Sequence, residues 1–349
     1  MDFHPTEEQA AAVGLAARIF GDLATHERLA AAGTGSDAEL WKALTASGLI
    51  AAVEDIGLLG LVLLLEEQGR TTAQVPYAAT CAYGVLPVAA HGSAEQRARL
   101  LPALGSGEAV ATGAFPDRGR FRAEGNRLTG TAPAVPWLRE ATHVLVPDAD
   151  RALWLVRVDA PGVRTSPVET TAPWSAARLT LTGAEAERIG AVDSGGSADA
   201  SPYEHTLAAA RTAFAGLQAG VCAGSLARAV EYTSTREQFG RPLSTNQGVM
   251  LRAADAYMDT EAIRVTAYEA AWRIDQGLPA RDHALTAAWW ASEAGKRVVH
   301  AGQHLHGGMG ADLDHPVHRH FLWGRQLDAY LGCGSELLAE LGAVLAQEG

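Results

Sequence analysis

The spacing of apolar residues divides the chain into three stretches of different texture. From Thr6 to about Leu104, Ala, Leu and Ile recur three and four residues apart, most clearly from Ala10 to Leu23, which predicts helices. Helix-entry signals accompany them. Thr6 with Gln9 has the form of a capping box, Ser36-Asp37 precedes a helix through Trp41 and Leu44, and Ser93 with Gln96 precedes another through Arg97 to Leu101. Between about Ala109 and Val192 the period changes. Short runs (Ala109–Phe115, Thr142–Val146, Ala152–Val158, Ala177–Leu181) stand among Gly, Pro and Asp clusters, the pattern of an antiparallel all-β unit. Asp193–Pro202, rich in Gly and Ser, reads as a loop. Beyond it lie four long helical segments, Tyr203–Arg236, Gln247–Gln276, Ala280 to about Gln303, and Pro316–Gln347, with Leu217, Val221, Leu226 and Val230 marking the apolar face of the first. The expected fold is α+β and mostly α: an N-terminal helical domain over 1–108, a middle antiparallel β-domain over 109–195 and a C-terminal four-helix bundle over 203–349.

Composition narrows the function classes. With 48% apolar and 19% charged residues the chain has the make-up of an ordinary globular protein, which argues against disorder. Its longest apolar run, Ile56–Leu65, contains Gly57 and Gly60 and falls well short of the roughly 20 residues that cross a bilayer. The acidic N-terminus, Met1 to Glu8, lacks the basic n-region of a signal peptide. No transmembrane segment and a cytoplasmic location are therefore expected. Cys81, Cys222 and Cys333 are scattered, with no CxxC pair, so neither a disulfide framework nor a zinc knuckle is indicated and buried thiols are expected. A formal charge of -12 opposes nonspecific nucleic-acid binding, which depends on displacing phosphate counterions with many cations.

Candidate chemistry concentrates in two blocks. In the first, Arg236-Glu237-Gln238-Phe239-Gly240-Arg241-Pro242-Leu243, a guanidinium suited to a diphosphate sits at a helix end beside a turn that starts the next helix. Taken alone, such an Arg more often answers the helix dipole. The whole string with Gln247 (Arg-x-x-Phe-Gly-x-Pro-Leu-x-x-x-Gln) resembles the signature of the acyl-CoA dehydrogenase family, and the helical, β, four-helix order of the entire chain is that family's order. The resemblance implies an FAD shared between two chains, its ring and the acyl-CoA substrate in one and its adenosine end held by the other. Arg236, Gln238 and Phe239 would contact the pyrophosphate and adenosine of the neighbour's FAD, with Asn246 and Gln247 nearby. The second block, His306-Gly307-Gly308-Met309-Gly310, resembles the family's Gln-x-x-Gly-Gly-x-Gly loop, placing Gly307 and Gly308 against the same FAD; His304 stands where Gln is usual. Five histidines lie between His304 and His320 without a matching carboxylate or cysteine spacing, so no metal is expected.

The resemblance also exposes gaps. The family's base is the Glu of a Tyr-Glu-Gly-Thr string; here the stretch is Tyr330-Leu331-Gly332-Cys333, so Leu331, or Gly332 in the neighbouring register, holds that place. In members that carry the Glu on the first bundle helix, the position corresponds to Ala210. None of these takes a proton, so no catalytic residue is assigned. Glu336 reads as a helix-cap acid. Where relatives have a Glu-Pro-Gly-Ala-Gly-Ser-Asp loop toward the flavin ring, this chain has Phe115-Pro116-Asp117-Arg118-Gly119-Arg120; where they have Trp-Ile-Thr, it has Ala134-Val135-Pro136-Trp137, and Pro136 offers neither hydroxyl nor N–H. Trp137 reads as a core residue.

The resulting expectation is a subunit of an FAD-dependent acyl-CoA dehydrogenase that completes the FAD site of a homologous catalytic partner in an α2β2 assembly. It resembles the shorter subunit of actinobacterial enzymes that act on bulky substrates such as steroid side-chain CoA thioesters, and an electron-transfer flavoprotein is the implied acceptor. Two other readings stay open: a self-sufficient homotetrameric dehydrogenase with an unplaced base, and a flavin-free acyl-CoA-binding pseudoenzyme.

Overall fold

A computed structural model describes residues 3–190 and 201–348, so the stretch read as a loop, Asp193–Pro202, lies almost wholly outside the described residues. The chain divides into two compact units: Glu7–Leu61 with Gln74–Ala210, and Met1–Thr6 with Val62–Ala73 and Arg211–Gly349.

In the first unit, α1 (Glu7–Leu23) buries Ala16 and Phe20, and its buried Gln9 donates its amide to the Ile56 carbonyl at 2.8 Å. Thr25 caps α2 (His26–Ala32), and Asp37 caps α3 (Ala38–Ala46) by accepting the N–H groups of Glu39 and Leu40. Inside α4 (Val53–Thr71), Gly57 takes φ 71°, ψ -172° and kinks the helix, a conformation open to glycine and costly to other residues. α5 (Tyr77–Thr80), a π-helical turn (Cys81–Val85) and α6 (Leu86–His91) run on without a gap. α7 (Ala94–Gly105) opens with the full capping box of Ser93 and Gln96 that the sequence announces.

The strands build two four-stranded sheets. One contains β1 (Ala111–Gly113), β4 (His143–Pro147), β5 (Leu153–Arg157) and β8 (Glu187–Ile189) in that order; the other orders β2 (Phe121–Glu124), β3 (Arg127–Val135), β7 (Ala177–Glu185) and β6 (Val163–Pro167). Leu128, Val135, Leu179 and Leu181 from one sheet and Val144, Val146, Trp154 and Val156 from the other form a single core. The expected all-antiparallel unit has one exception: β1 pairs parallel with β4, Ala111 opposite His143. The chain leaves β1 for the other sheet and returns before β4, a crossover that brings it back in the same direction.

The second unit is built on α8 (Pro202–Thr235), which enters it at Arg211. Every residue from Ala213 to Cys222 is buried, so this stretch has no polar face. Further along, Val230 of the expected apolar face is 46% exposed. A Cβ at Gly220 would lie 2.1 Å from the Glu66 carbonyl oxygen, so α8 and the second half of α4 pack backbone to backbone. α9 (Gln247–Asp275) and α10 (Arg281–Leu305) form a helical hairpin. The last segment differs from expectation. Pro316–Gln347 is not one helix but two, α11 (Pro316–Tyr330) and α12 (Gly334–Glu348). Gly332, at φ 125°, breaks the path, while buried Leu331 keeps the apolar periodicity running through the break and so hides it from pattern reading. α12 packs on α10 through Leu337 and Val344 against Leu285 and Ala288.

By length and hydropathy alone α8 and the 316–347 segment could cross a bilayer; 72% of the most apolar window of α8 is buried inside the chain, as for a core helix, and the other segment is interrupted at residues 331–333.

Candidate functional site

The first motif folds differently from the simple turn its sequence suggests. After α8 comes a hairpin of two-residue strands, β9 (Glu237–Gln238) and β10 (Arg241–Pro242), with Gln238 opposite Arg241. Its turn residues, Phe239 and Gly240, have φ of 56° and 75°, the mirror-image turn that a tight hairpin favours and that a Phe adopts only at a cost. Phe239 is 101% exposed. The Arg236 N–H donates to the Tyr232 carbonyl at 2.8 Å and its carbonyl accepts the Leu243 N–H at 2.9 Å, so the base of the hairpin closes on the Arg236 backbone. The Arg236 side chain is exposed and makes no ion pair among the described residues. Gln238 is exposed beside it. A 3-10 turn, Leu243–Thr245, leads to Asn246, whose side-chain oxygen accepts the Gly248 N–H at 2.9 Å and caps α9; one atom of this candidate ligand is thus committed to the helix. Gln247, the first residue of α9, is exposed.

The second motif follows α10. His304 is exposed on its last turn, His306 is 3% exposed, and Gly307 at φ 62° starts a 3-10 turn, Gly307–Ala311. Around Gly307 and Gly308 the space a Cβ would enter is open, so a ligand can approach the backbone. Gly310 serves packing instead, since its Cβ would lie 2.2 Å from the Gln303 carbonyl oxygen. Tyr232, four residues before Arg236 on α8, stacks on His306 of the second motif with ring centroids 4.9 Å apart. The histidines do not converge on one point. His306 contacts His315, whereas buried His320 directs Nε2 to the Arg70 carbonyl at 3.0 Å and is pushed down to about 4 by burial. Among the described residues no group of three or more His, Cys, Asp or Glu is placed to hold a metal ion.

No base stands at the family's positions. Leu331 is 6% exposed, Gly332 is the helix break and Ala210 is fully buried. Glu336 is exposed and accepts the Cys333 N–H at 3.2 Å, a helix-entry contact. A nearby acid that the sequence reading did not single out, Glu340, is bound at 3.0 and 2.7 Å by both terminal nitrogens of Arg211, itself 6% exposed. A carboxylate held that way neutralises a buried guanidinium and is not poised to take a proton. Nothing local signals the pair: its members are 129 positions apart.

The segments that stand where relatives meet the flavin ring are occupied from within. Phe115 stacks between Tyr83, 5.2 Å away, and Tyr203, 5.8 Å away and within 11° of parallel. The Tyr203 hydroxyl accepts the Asp117 N–H at 3.0 Å, and Arg151 lies 5.1 Å over its ring while binding Glu204 at 2.6 Å. Burial raises the pKa of the Tyr203 phenol, which stays neutral. Trp137 is 4% exposed, stacks on Trp174 and donates its N–H to the Trp174 carbonyl at 2.7 Å, and the Pro136 carbonyl accepts from the Thr112 hydroxyl at 2.6 Å. Pro136 has no N–H, and the Trp137 N–H is already bonded to the Trp174 carbonyl, so neither is left to meet an isoalloxazine ring. The exposed Arg236 and the open Gly307–Gly308 backbone do fit a diphosphate.

Comparison with known proteins identifies the family. Residues 6–108 match the acyl-CoA dehydrogenase N-terminal domain and residues 203–343 the acyl-CoA dehydrogenase C-terminal domain. Acyl-CoA dehydrogenase FadE27 of Mycobacterium tuberculosis is 34% identical over 376 residues, covering 99% of both chains, and FadE28 of the same organism is 31% identical over 98% of both. Among solved structures, a chain of a Tcur3481–Tcur3483 steroid ACAD variant is 40% identical with a TM-score of 0.91 over 98% of both chains. A chain of the ChsE4–ChsE5 complex from Mycobacterium tuberculosis is 32% identical, also at 0.91, over 99% of both. Motif, architecture and whole-length likeness place this chain in the acyl-CoA dehydrogenase family of FAD-dependent oxidoreductases acting on acyl-CoA.

Proposed function

We propose that this chain is the FAD-gripping, non-catalytic subunit of a hetero-oligomeric acyl-CoA dehydrogenase. The observation that carries the reading is an asymmetry within the chain. Residues of the family's adenosine-end motif are exposed, with no ion pair on Arg236 among the described residues, whereas the ring-end segments are filled by Phe115, Tyr203 and Trp137, and the base positions are Leu331 and Ala210. Arg236 takes the flavin diphosphate, the Gly307 and Gly308 backbone approaches it, and Gln238, Phe239, Gln247, His304 and the remaining capacity of Asn246 complete the adenosine side. Bound FAD supplies the acceptor for the β-hydride of an acyl-CoA thioester. A homologous catalytic subunit supplies the ring site and the base for the α-proton, in an α2β2 assembly. The likeness to chains from steroid ACAD and ChsE4–ChsE5 assemblies supports both the heteromeric arrangement and a bulky, steroid-type acyl group. An electron-transfer flavoprotein is the acceptor.

Flavin content tests the reading. Purified alone, the chain is expected to be colourless; co-expressed with a homologous catalytic subunit it yields one FAD per heterodimer, and Arg236→Ala removes that flavin. A yellow isolated chain that reduces an electron acceptor with an acyl-CoA overturns the proposal in favour of a self-sufficient dehydrogenase. Absence of flavin from both preparations favours the flavin-free reading.

A further inference from the structure

His306 belongs to the second motif yet is turned away from the exposed edge. Its Nδ1 lies 2.7 Å from the Gly302 carbonyl oxygen, which assigns the proton to Nδ1 and anchors the ring to the last turn of α10. One side of the ring stacks on Tyr232 at 4.9 Å and 20°; His315 packs against it at 4.9 Å and 60°. Each partner sits where a chain segment changes direction. The Tyr232 carbonyl holds the Arg236 N–H at the root of the hairpin, and His315 caps α11 by accepting the Val317 N–H at 3.3 Å. His306 itself immediately precedes Gly307, the left-handed residue of the open turn. The stack therefore joins the end of α8, the end of α10 and the start of α11. The two segments offered to the diphosphate are the loops that leave from it.

A diphosphate gripped by separate segments is bound tightly only if both are held in register before it arrives, because ordering them on binding is subtracted from the affinity. We infer that His306 is a positioning residue for the flavin diphosphate: wedged between Tyr232 and His315, it sets the Gly307–Gly308 backbone relative to Arg236 without touching the ligand. The inference rests on the half-site reading above, and it assigns the effect to ring stacking and not to the bond with Gly302.

The test is FAD affinity, read by quenching of flavin fluorescence in the complex with the catalytic subunit, with assembly followed by gel filtration. His306→Ala is expected to weaken FAD by about tenfold or more while the complex still assembles, and His306→Phe, which keeps a stacking ring and loses the Gly302 bond, to stay within about threefold of the parent. If His306→Ala fails to assemble, Tyr232→Leu removes the same stack from α8 and is expected to show the same loss. Unchanged affinity in the Ala or Leu variant overturns the inference, and so does a Phe variant as weak as the Ala one. Arg236→Ala, run alongside, separates the two levels. Loss of FAD in Arg236→Ala with none in His306→Ala sinks the positioning role alone, and no loss in either sinks the half-site reading.

Discussion

Arg211 and Arg236 sit 25 positions apart on and just beyond the same helix, and the structure treats them in opposite ways. Arg211 is 6% exposed and donates hydrogen bonds from both terminal nitrogens to Glu340; Arg236 is exposed, without an ion pair among the described residues, at the root of a hairpin whose tip residue is wholly exposed and left-handed. A buried charge with a partner is explained by packing, because leaving it unpaired would cost several kcal/mol. An exposed guanidinium at a helix end is ordinary by itself, but the exposed Phe239 beside it sits at positive φ with no burial to repay the cost. Local cost without a local return points to a ligand or partner outside the chain.

Removing Glu340 tests that difference most directly. Glu340→Ala strands a buried guanidinium and should lower unfolding stability by about 3–5 kcal/mol in urea titrations. Arg236→Ala should change the same quantity by less than about 0.5 kcal/mol, as surface substitutions usually do. Comparable losses in the two variants break the contrast.

Acid probes the closed interior in another way. Burial holds His320 at about 4, and burial together with neighbouring His205 holds His91 at about 4, against 6.5 when unfolded. Between those values the unfolded chain binds more protons than the folded one, so stability is fully present above pH 6.5 and is lost as pH falls toward 4. The loss is on the order of 3 kcal/mol for fully buried His320 and smaller for His91, whose partial exposure lets solvent screen it. Melting temperature against pH should therefore be flat above neutrality and fall steeply below pH 6. Replacing His320 by Asn should flatten part of that acid limb even though it lowers the plateau; an unchanged limb assigns the acid loss to other groups.

The same division between local and long-range interactions decides what could be read from the sequence. The caps at Asp37 and Ser93 were legible because each is a bond between residues two or three apart. The Arg236 block and the glycine turn were legible as motifs, but the hairpin they build was not, since Phe239 is a poor residue for its turn. β2 and β3 escaped because their runs are short or largely exposed; Gly125-Asn126 between them was the available hairpin signal. The split of the last segment escaped because Leu331 preserves the apolar period across the break. Pairings such as Phe115 with Tyr203, or Arg211 with Glu340, join distant positions, and no pattern along the chain announces them.

A smaller effect tests the exposed edge alone. Asn246→Ala removes the oxygen that caps α9 and should cost about 1 kcal/mol in urea titrations. If the Asn246 contribution is mainly to the helix, Asn246→Asp, which keeps the cap, should restore stability. Flavin retention in the complex then reports whether the lost amide N–H groups also serve the ligand.

The smallest expected change in stability separates folding from function most sharply. Phe239 has no burial to lose and sits at φ 56°, where Asn is better tolerated, and Asn-Gly is a favoured pair for such a turn. Phe239→Asn should therefore stabilise the isolated chain, by about 0.5 kcal/mol, because it relieves a backbone cost and removes no contact. In the complex the same substitution should lower FAD retention, because the exposed ring is what the strained hairpin presents. If both quantities rise together, the exposed edge is an ordinary surface hairpin and the contrast with Arg211 carries no functional meaning; opposite changes show that the hairpin tolerates strain in order to hold an aromatic ring outward.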